Sequence, residues 1–76
     1  MDVVLSEDNF EQSLEAAKNE LENGSVTVVG KGKLISKAVD VAEELKISVG
    51  AQVKNISIET EEGEKRISVI KIELVK

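Results

Sequence analysis

The amino-acid sequence predicts a two-layer α+β fold in which two helices cover one face of a four-stranded mixed sheet. The apolar residues change their spacing along the 76-residue chain, so that strand-like and helix-like segments can be distinguished. Turn signals that contain glycine separate these segments. The predicted order is strand, helix, strand, helix, strand, strand. Each helix has a single apolar side, which places both helices on the same face of one sheet in a single domain, residues 1–76.

The first predicted elements are a strand and a helix. Residues 2–5 end in an unbroken apolar run and predict a short strand. Apolar residues then follow at steps of four, three and four, which makes one stripe on a helix: Phe10, Leu14, Ala17 and Leu21. Either Ser6 or Asp8 can cap this helix. Asp8 and Glu11 also have the spacing of a capping box. Gly24 is predicted to end it.

The remaining elements are a strand, a helix and a hairpin. Residues 25–29 are rich in β-branched side chains and predict a central second strand. Residues 34–47 predict the second helix by their helical apolar spacing. Residues 52–59 alternate between apolar and polar and predict the third strand. The acidic residues 60–64, which include a glycine, predict a turn, and residues 65–75 predict the longest strand. The first helix is long enough to connect two parallel strands.

Some strand residues are predicted to face away from the helices. Ile67 and Val69 alternate out of phase with Ile70, and Val4 points opposite to Val3. An exposed apolar sheet face predicts a partner surface. The alternative is ordinary surface valine and isoleucine, which soluble domains tolerate.

Composition limits the function more sharply than it limits the fold. The chain has no cysteine and no histidine, a net charge of −5 and a pI of about 4.7. It therefore has no thiolate or imidazole with which to bind a metal, and no imidazole to act as a general base. No apolar run is long enough for a membrane span, so a cytoplasmic protein is expected, chromosome-associated if it binds DNA. Because a core this small gives only marginal stability, we expect oligomerisation to stabilise the fold further.

One basic segment stands out in this acidic chain. Residues 25–39 contain three lysines and no acid, whereas residues 1–24 contain seven acids and one lysine. The lysines are Lys31, Lys33 and Lys37, and the segment also contains Gly30 and Gly32. Glycines allow backbone amides to approach a ligand, and the start of the following helix carries positive partial charge. This pattern predicts a phosphate site, although a turn with solubilising lysines would have the same composition.

Catalytic and metal-binding motifs are weak. The Gly-Lys-Gly-Lys segment has neither the spacing of a P-loop nor the third glycine of a dinucleotide fingerprint. Carboxylates on the second helix and in the hairpin are typical of solvated faces rather than of metal sites. The serines have no histidine to activate them. We therefore expect no enzyme activity, no cofactor and no small-molecule substrate.

Residues 31–43 read Lys-Gly-Lys-Leu-Ile-Ser-Lys-Ala-Val-Asp-Val-Ala-Glu, which closely resembles the signature of the Alba family. Residues 53–60 and 67–76 resemble the third and last strands of that family. The resemblance implies the β-α-β-α-β-β fold that Alba proteins share with the C-terminal domain of bacterial translation initiation factor three. It also implies a homodimer, of archaeal chromatin type, that binds DNA or RNA with little sequence preference.

The positions that match the basic contact segment of the family are Lys31, Gly32, Lys33 and Lys37, and Lys65 and Arg66 lie in its β3–β4 arm. The family's first loop is Gly-Lys-Lys-Pro, whose lysines contact nucleic acid, whereas this chain has the acidic residues 6–9 there. Its β3–β4 arm is also shorter and more acidic than usual. Two hypotheses follow: a nucleic-acid-binding protein that contacts phosphates, or an Alba-like protein-interaction subunit with weak or no nucleic-acid affinity.

Overall fold

Strands and helices occur in the predicted order in the computed structural model, which describes residues 2–76. The elements are β1 (Asp2–Val4), α1 (Phe10–Glu22), β2 (Ser25–Lys31), α2 (Ile35–Ser48), β3 (Gln52–Glu61) and β4 (Ile67–Val75). A 3₁₀ turn, Gly32–Leu34, connects β2 to α2. Neither helix of this part of the chain has the length and apolar character needed to cross a bilayer.

The four strands form one mixed sheet in the order β1-β2-β4-β3. Strands β1 and β2 are parallel and α1 connects them, as predicted. Strand β4 pairs antiparallel with β2 on one side and with β3 on the other. The central position predicted for β2 is confirmed, and β1 and β3 are the two edges.

The core lies between the helices and one face of the sheet. Helix α1 contributes Ala17 and Leu21, and α2 contributes several small and branched residues. These pack against the inward side chains of β2 and β4: Val26, Val28, Ile70, Ile72 and Leu74. Burial of this apolar surface, at about 25 cal/mol for each Å², is what holds the two layers together.

Helix α1 begins differently from the sequence prediction. Its N-cap residue is Asn9, not Ser6 or Asp8, so the predicted Asp8–Glu11 capping box is wrong. The Oδ1 atom of Asn9 accepts hydrogen bonds from the Ser6 backbone N–H, at 2.9 Å, and from the Ser13 hydroxyl, at 3.0 Å. One amide oxygen thus joins the loop before α1 to the buried side of the first helical turn.

The hairpin between β3 and β4 is also shifted from its predicted position. The last paired residues of its ladder are Glu61 and Ile67, so residues 62–66 form the turn. Strand β4 therefore begins at Ile67 rather than at Lys65. As a result, Lys65 and Arg66 lie in the turn and not in the strand.

Edge strand β3 has exposed apolar residues on the helix side of the sheet. Ile56 and Ile58 pair directly with Ile72 and Ile70, so all four point towards the helix layer. Helix α2 packs mainly over β2 and β4 and leaves β3 largely uncovered. Ile56 is consequently 55% exposed and Ile58 67% exposed.

The opposite face of the sheet is more charged than predicted. Val69 is only 1% exposed there, although no helix covers it. The side chain of Lys31 reaches across β4 to Glu61 on β3, at 3.3 Å, and that of Lys71, on β4 itself, reaches Glu59 on β3, at 3.5 Å. The two lysines flank Val69. Val4 and Ile67 remain exposed near the ends of this face, but the most exposed strand isoleucines are those of β3. The predicted residues therefore do face away from the helices, but the most exposed apolar strip of the sheet is on the helix side of β3, because α2 does not reach that edge.

Gly30 is a packing residue rather than a ligand-approach residue. It is buried, and a Cβ atom at this position would lie 2.6 Å from the Leu34 carbonyl oxygen and 2.8 Å from the Ala38 Cβ atom. We expect Gly30→Ala to lower the free energy of unfolding by about 1–3 kcal/mol, because β2 and the start of α2 would have to separate. Urea denaturation measures this. Gly63→Ala is the matched control, since nothing lies within 4 Å of its added methyl group; equal effects of the two substitutions would contradict the packing role.

Candidate nucleic-acid interface

The amino-terminal ends of the two helices lie side by side and bring together residues that are far apart in the sequence. Lys33, in the turn before α2, forms an ion pair with Glu7 in the loop before α1. Lys37, in the first turn of α2, places its Nζ atom 5.2 Å from the centre of the Phe10 ring, at the start of α1. The predicted site residues Lys33 and Lys37 are therefore on the same side of the molecule.

The backbone that leads into α2 suits an anion. Gly32 has a φ angle of +57°, a left-handed conformation that other residues rarely adopt, so glycine is needed for the turn. Within residues 2–76, no side chain caps the start of the 3₁₀ turn or of α2 by a hydrogen bond. The positive end of the α2 dipole thus faces the same region as Lys33 and Lys37.

Glu7 stabilises the charged form of Lys33. Its carboxylate accepts a hydrogen bond from the ammonium group and adds a favourable charge interaction, and together these raise the pKa of Lys33 above its usual value. Lys33 is therefore a cation at neutral pH. Its side chain is 80% exposed and that of Glu7 is 56% exposed. An ion pair this exposed contributes little to stability, so another anion can replace Glu7 at small cost.

Lys31 points to the other side of the sheet. As the last residue of β2, it lies on the face opposite the helices, where its Nζ atom is 3.3 Å from Glu61 Oε1 at the end of β3. The three lysines of the basic segment are thus divided. Lys33 and Lys37 face the loop before α1, whereas Lys31 faces the β3–β4 hairpin.

Lys65 and Arg66 belong to the hairpin side of the molecule. Both are exposed in the turn that follows Glu61, and Glu62 and Glu64 lie in the same turn. Within residues 2–76 neither cation forms an ion pair of 4.0 Å or less. The hairpin therefore presents positive and negative groups together.

A cleft of about 230 Å³ lies between the amino-terminal ends of α1 and α2. Its lining surface is mostly apolar, and six residues contribute to it: Ser6, Glu7, Phe10, Lys33, Leu34 and Lys37. Phe10 packs against the core, as its position on the α1 stripe predicts, but part of the ring also lines the cleft. Glu7 and Glu61, which bind the lysines, were not identified as partners from the sequence. The only sequence signal for them was the acidic character of the two loops.

Metal-binding clusters are absent from the described residues 2–76, where no three His, Cys, Asp or Glu side chains come together in a suitable arrangement. The carboxylates of α2 and of the hairpin therefore give no support to a metal-dependent activity. What the site can do chemically is hold anions, through two ammonium groups and the start of a helix.

Comparison with known proteins identifies relatives of this architecture. A sequence model described as Alba matches residues 2–60. The structure of Alba from Thermoplasma volcanium is similar over 100% of both chains, with 27% sequence identity and a TM-score of 0.83. The crystal structure of ALBA1 from Trypanosoma brucei is also similar, with 24% sequence identity and a TM-score of 0.88. The aligned region covers 99% of this chain and 68% of the ALBA1 chain. A search of curated protein sequences finds no match.

Proposed function

Because the chain belongs to the Alba family, we propose that it is a sequence-tolerant nucleic-acid-binding protein that contacts phosphates through the amino-terminal end of α2. Alba family proteins are generally non-enzymatic binding proteins, and this chain is proposed to act in the same way, as one domain spanning residues 1–76. The observation that carries the proposal is the placement of Lys33 and Lys37 on one cleft, beside an uncapped helix start.

Binding is proposed to occur by exchange of anions. A backbone phosphate takes the position of the Glu7 carboxylate beside Lys33, and a neighbouring phosphate is bound by Lys37. Phosphates carry no sequence information, so such contacts give affinity without base preference. RNA, single-stranded DNA and duplex DNA are all candidate ligands, because each offers the same charged backbone.

The β3–β4 hairpin is proposed to provide a second, weaker contact region. Lys65 and Arg66 are exposed there and Lys31 lies nearby across β4, held by Glu61. A long polyanion that follows the surface can reach these groups in addition to Lys33 and Lys37. The glutamates of the hairpin reduce this contribution, so the region is expected to add affinity only at low salt.

A fluorescence anisotropy titration tests the proposed function. Labelled duplex DNA, single-stranded DNA and RNA are titrated with the protein at low and moderate salt. We expect measurable binding that weakens as salt rises, since each neutralised phosphate adds about 0.9 to the slope of log K against log salt for a duplex. Absent binding, or binding that is independent of salt, for all three probes would reject the proposal.

We propose in addition that the protein is a homodimer that covers the exposed residues of β3. Ile56 and Ile58 form an exposed apolar strip on one face of β3, and edge strands attract further copies of a chain. Ile58→Asp is expected to raise the dimer dissociation constant by at least about tenfold, because a charge would be desolvated at the interface. Sedimentation velocity measures this. Thr60→Asp, on the same face of the strand but outside the apolar strip, is the control.

The ion pairs also favour a second candidate function. Glu7 and Glu61 each bind a lysine of the family's basic contact segment, as expected of an Alba-like protein-interaction subunit that has lost most nucleic-acid affinity. This candidate predicts that replacement of Lys31, Lys33 and Lys37 by alanine leaves capture of the partner protein unchanged. The proposed nucleic-acid-binding function predicts that the same variant loses its ligand.

A further inference from the structure

We infer that the cleft between the starts of α1 and α2 accepts one unpaired nucleobase, so that the protein prefers single-stranded nucleic acid over a duplex. This inference rests on the proposed function and specifies its ligand. It is independent of the phosphate contacts themselves, which a duplex can also make.

The lining of the cleft matches the two parts of a nucleotide. Its lining surface is mostly apolar and includes Phe10 and Leu34, and Lys33 and Lys37 line the same cleft. A flat aromatic base can pack against the apolar part while its phosphate reaches the ammonium groups. A site for phosphate alone would not need this apolar surface.

The cleft has the size of a site for a small ligand. Its volume of about 230 Å³ is below the roughly 300–1,000 Å³ of pockets for drug-sized molecules, which suits a ligand as small as a single base. Bases in a duplex are stacked and paired and expose only their edges, so a base that enters the cleft must be unpaired.

Two weak contacts between residues that line the cleft can be replaced by a ligand. The Lys33–Glu7 pair is exposed to solvent, and the Lys37 ammonium group lies over the Phe10 ring at 5.2 Å. A nucleotide offers a substitute for each contact, because its phosphate binds a lysine as Glu7 does and its base stacks on the ring as the ammonium does. Entry of a nucleotide therefore gives both lysines a phosphate partner, and the displaced carboxylate of the exposed Glu7 returns to solvent.

The first test compares two single strands that differ only in their bases. An oligothymidylate of about ten nucleotides and an abasic deoxyribose-phosphate strand of the same length carry the same phosphates. We expect the oligothymidylate to bind about 5- to 20-fold more tightly, and an oligouridylate to bind within about threefold of it, because base stacking and not the sugar supplies the difference. Equal affinity for the thymidylate and abasic strands overturns the inference while the proposed function stands. No binding of any single strand overturns the inference, and it rejects the proposed function as well if duplex DNA also fails to bind.

Substitutions in the cleft should remove the preference without abolishing binding. Phe10→Leu keeps an apolar contact with the core but removes the ring, and Ser6→Leu fills the cleft from an exposed position. Each is expected to reduce the ratio of the two affinities to about one. Ser25→Leu, at the exposed start of β2, is the matched control and should keep the ratio. A ratio that survives Ser6→Leu would overturn the inference even if Phe10→Leu failed to fold.

Nuclear magnetic resonance provides a readout that needs no substitution. Phe10 is the single aromatic residue of the chain, which has no Tyr, Trp or His, so ¹³C-labelled phenylalanine gives one set of ring signals. On addition of oligothymidylate we expect shifts of these signals and nuclear Overhauser contacts between the ring and thymine protons. The abasic strand should give smaller shifts, since it moves only the Lys37 ammonium group near the ring. Saturation with oligothymidylate that leaves the ring signals unchanged would overturn the inference.

Discussion

Replacement of both Lys33 and Lys37 by glutamine is expected to lower the affinity for nucleic acid by about 25-fold at low salt. Each side chain is proposed to supply one solvent-exposed phosphate contact, and loss of a contact that contributes about 1 kcal/mol lowers affinity by about fivefold. The salt slope measured with a duplex should fall by about 0.9 for each lost contact. Anisotropy titrations over a series of salt concentrations measure both quantities.

The comparison variants test whether affinity depends on the position of the two lysines or only on the net charge of the protein. Lys18→Gln with Lys76→Gln removes the same amount of charge from α1 and the carboxyl terminus, and should change affinity by less than about threefold. Lys31→Gln should have a smaller effect than the double variant, because Lys31 lies on the other face of the sheet and is held by Glu61. If the control pair weakened binding as much as Lys33→Gln with Lys37→Gln, binding would depend on overall charge and not on this site.

Replacement of Glu7 and Glu61 by glutamine is expected to raise the affinity by about tenfold. Each carboxylate now pairs with a lysine that is proposed to bind phosphate. A phosphate must displace it and then stay close to a like charge, which costs affinity. Glutamine keeps the size of the side chain and removes the charge. Anisotropy with the same probes at low salt measures the gain.

The matched variant for this gain is Glu15→Gln with Glu22→Gln on α1. It changes the net charge by the same amount, but neither glutamate forms an ion pair within residues 2–76. We expect a gain of less than about threefold from it. If Glu7→Gln with Glu61→Gln gave no gain, the carboxylates would not compete with the ligand, and phosphate binding at Lys33 and Lys31 would be excluded.

Periodicity and turn signals were sufficient to predict the architecture. The apolar stripe of α1, the β-branched run of β2 and the alternation of the hairpin strands gave the element order and the shared face of the helices, and the structure confirms both. These patterns reflect burial on a fixed period, so a single sequence contains them. The register of the hairpin was less accurate, because Lys65 and Arg66 suit a strand or a turn equally well.

Features that depend on tertiary contacts could not be predicted in the same way. The sequence shows that Gly30 precedes a turn, but not that the Leu34 carbonyl and the Ala38 side chain fill the space beside it. Likewise, the exposure of Ile58 depends on how far α2 extends across the sheet, which no local pattern contains. Asn9 occupies the N-cap position, but its side chain accepts hydrogen bonds from Ser6 and Ser13 rather than from a backbone N–H of the helix. The sequence does not show these partners.

The candidate site, like the fold, could be predicted from the sequence only in part. Resemblance and charge indicated the basic segment that includes Lys33 and Lys37, and the start of α2 beside them. Their partners were not predictable, since Glu7 and Glu61 are each more than twenty residues away from the lysine that they bind. Whether neighbouring charges reinforce or oppose one another is decided by the fold. The cleft beside Phe10 likewise forms only when the two helix starts are brought together.

Amide chemical-shift mapping tests most directly whether the starts of the two helices bind nucleic acid. The ¹⁵N-labelled protein is titrated with unlabelled single-stranded DNA at low salt. We predict that the largest shifts occur in residues 32–37 and in residues 6–10, with smaller ones in the hairpin turn, residues 62–66. Saturable binding with its largest shifts elsewhere, such as the carboxyl-terminal half of α1, would contradict this account of the site.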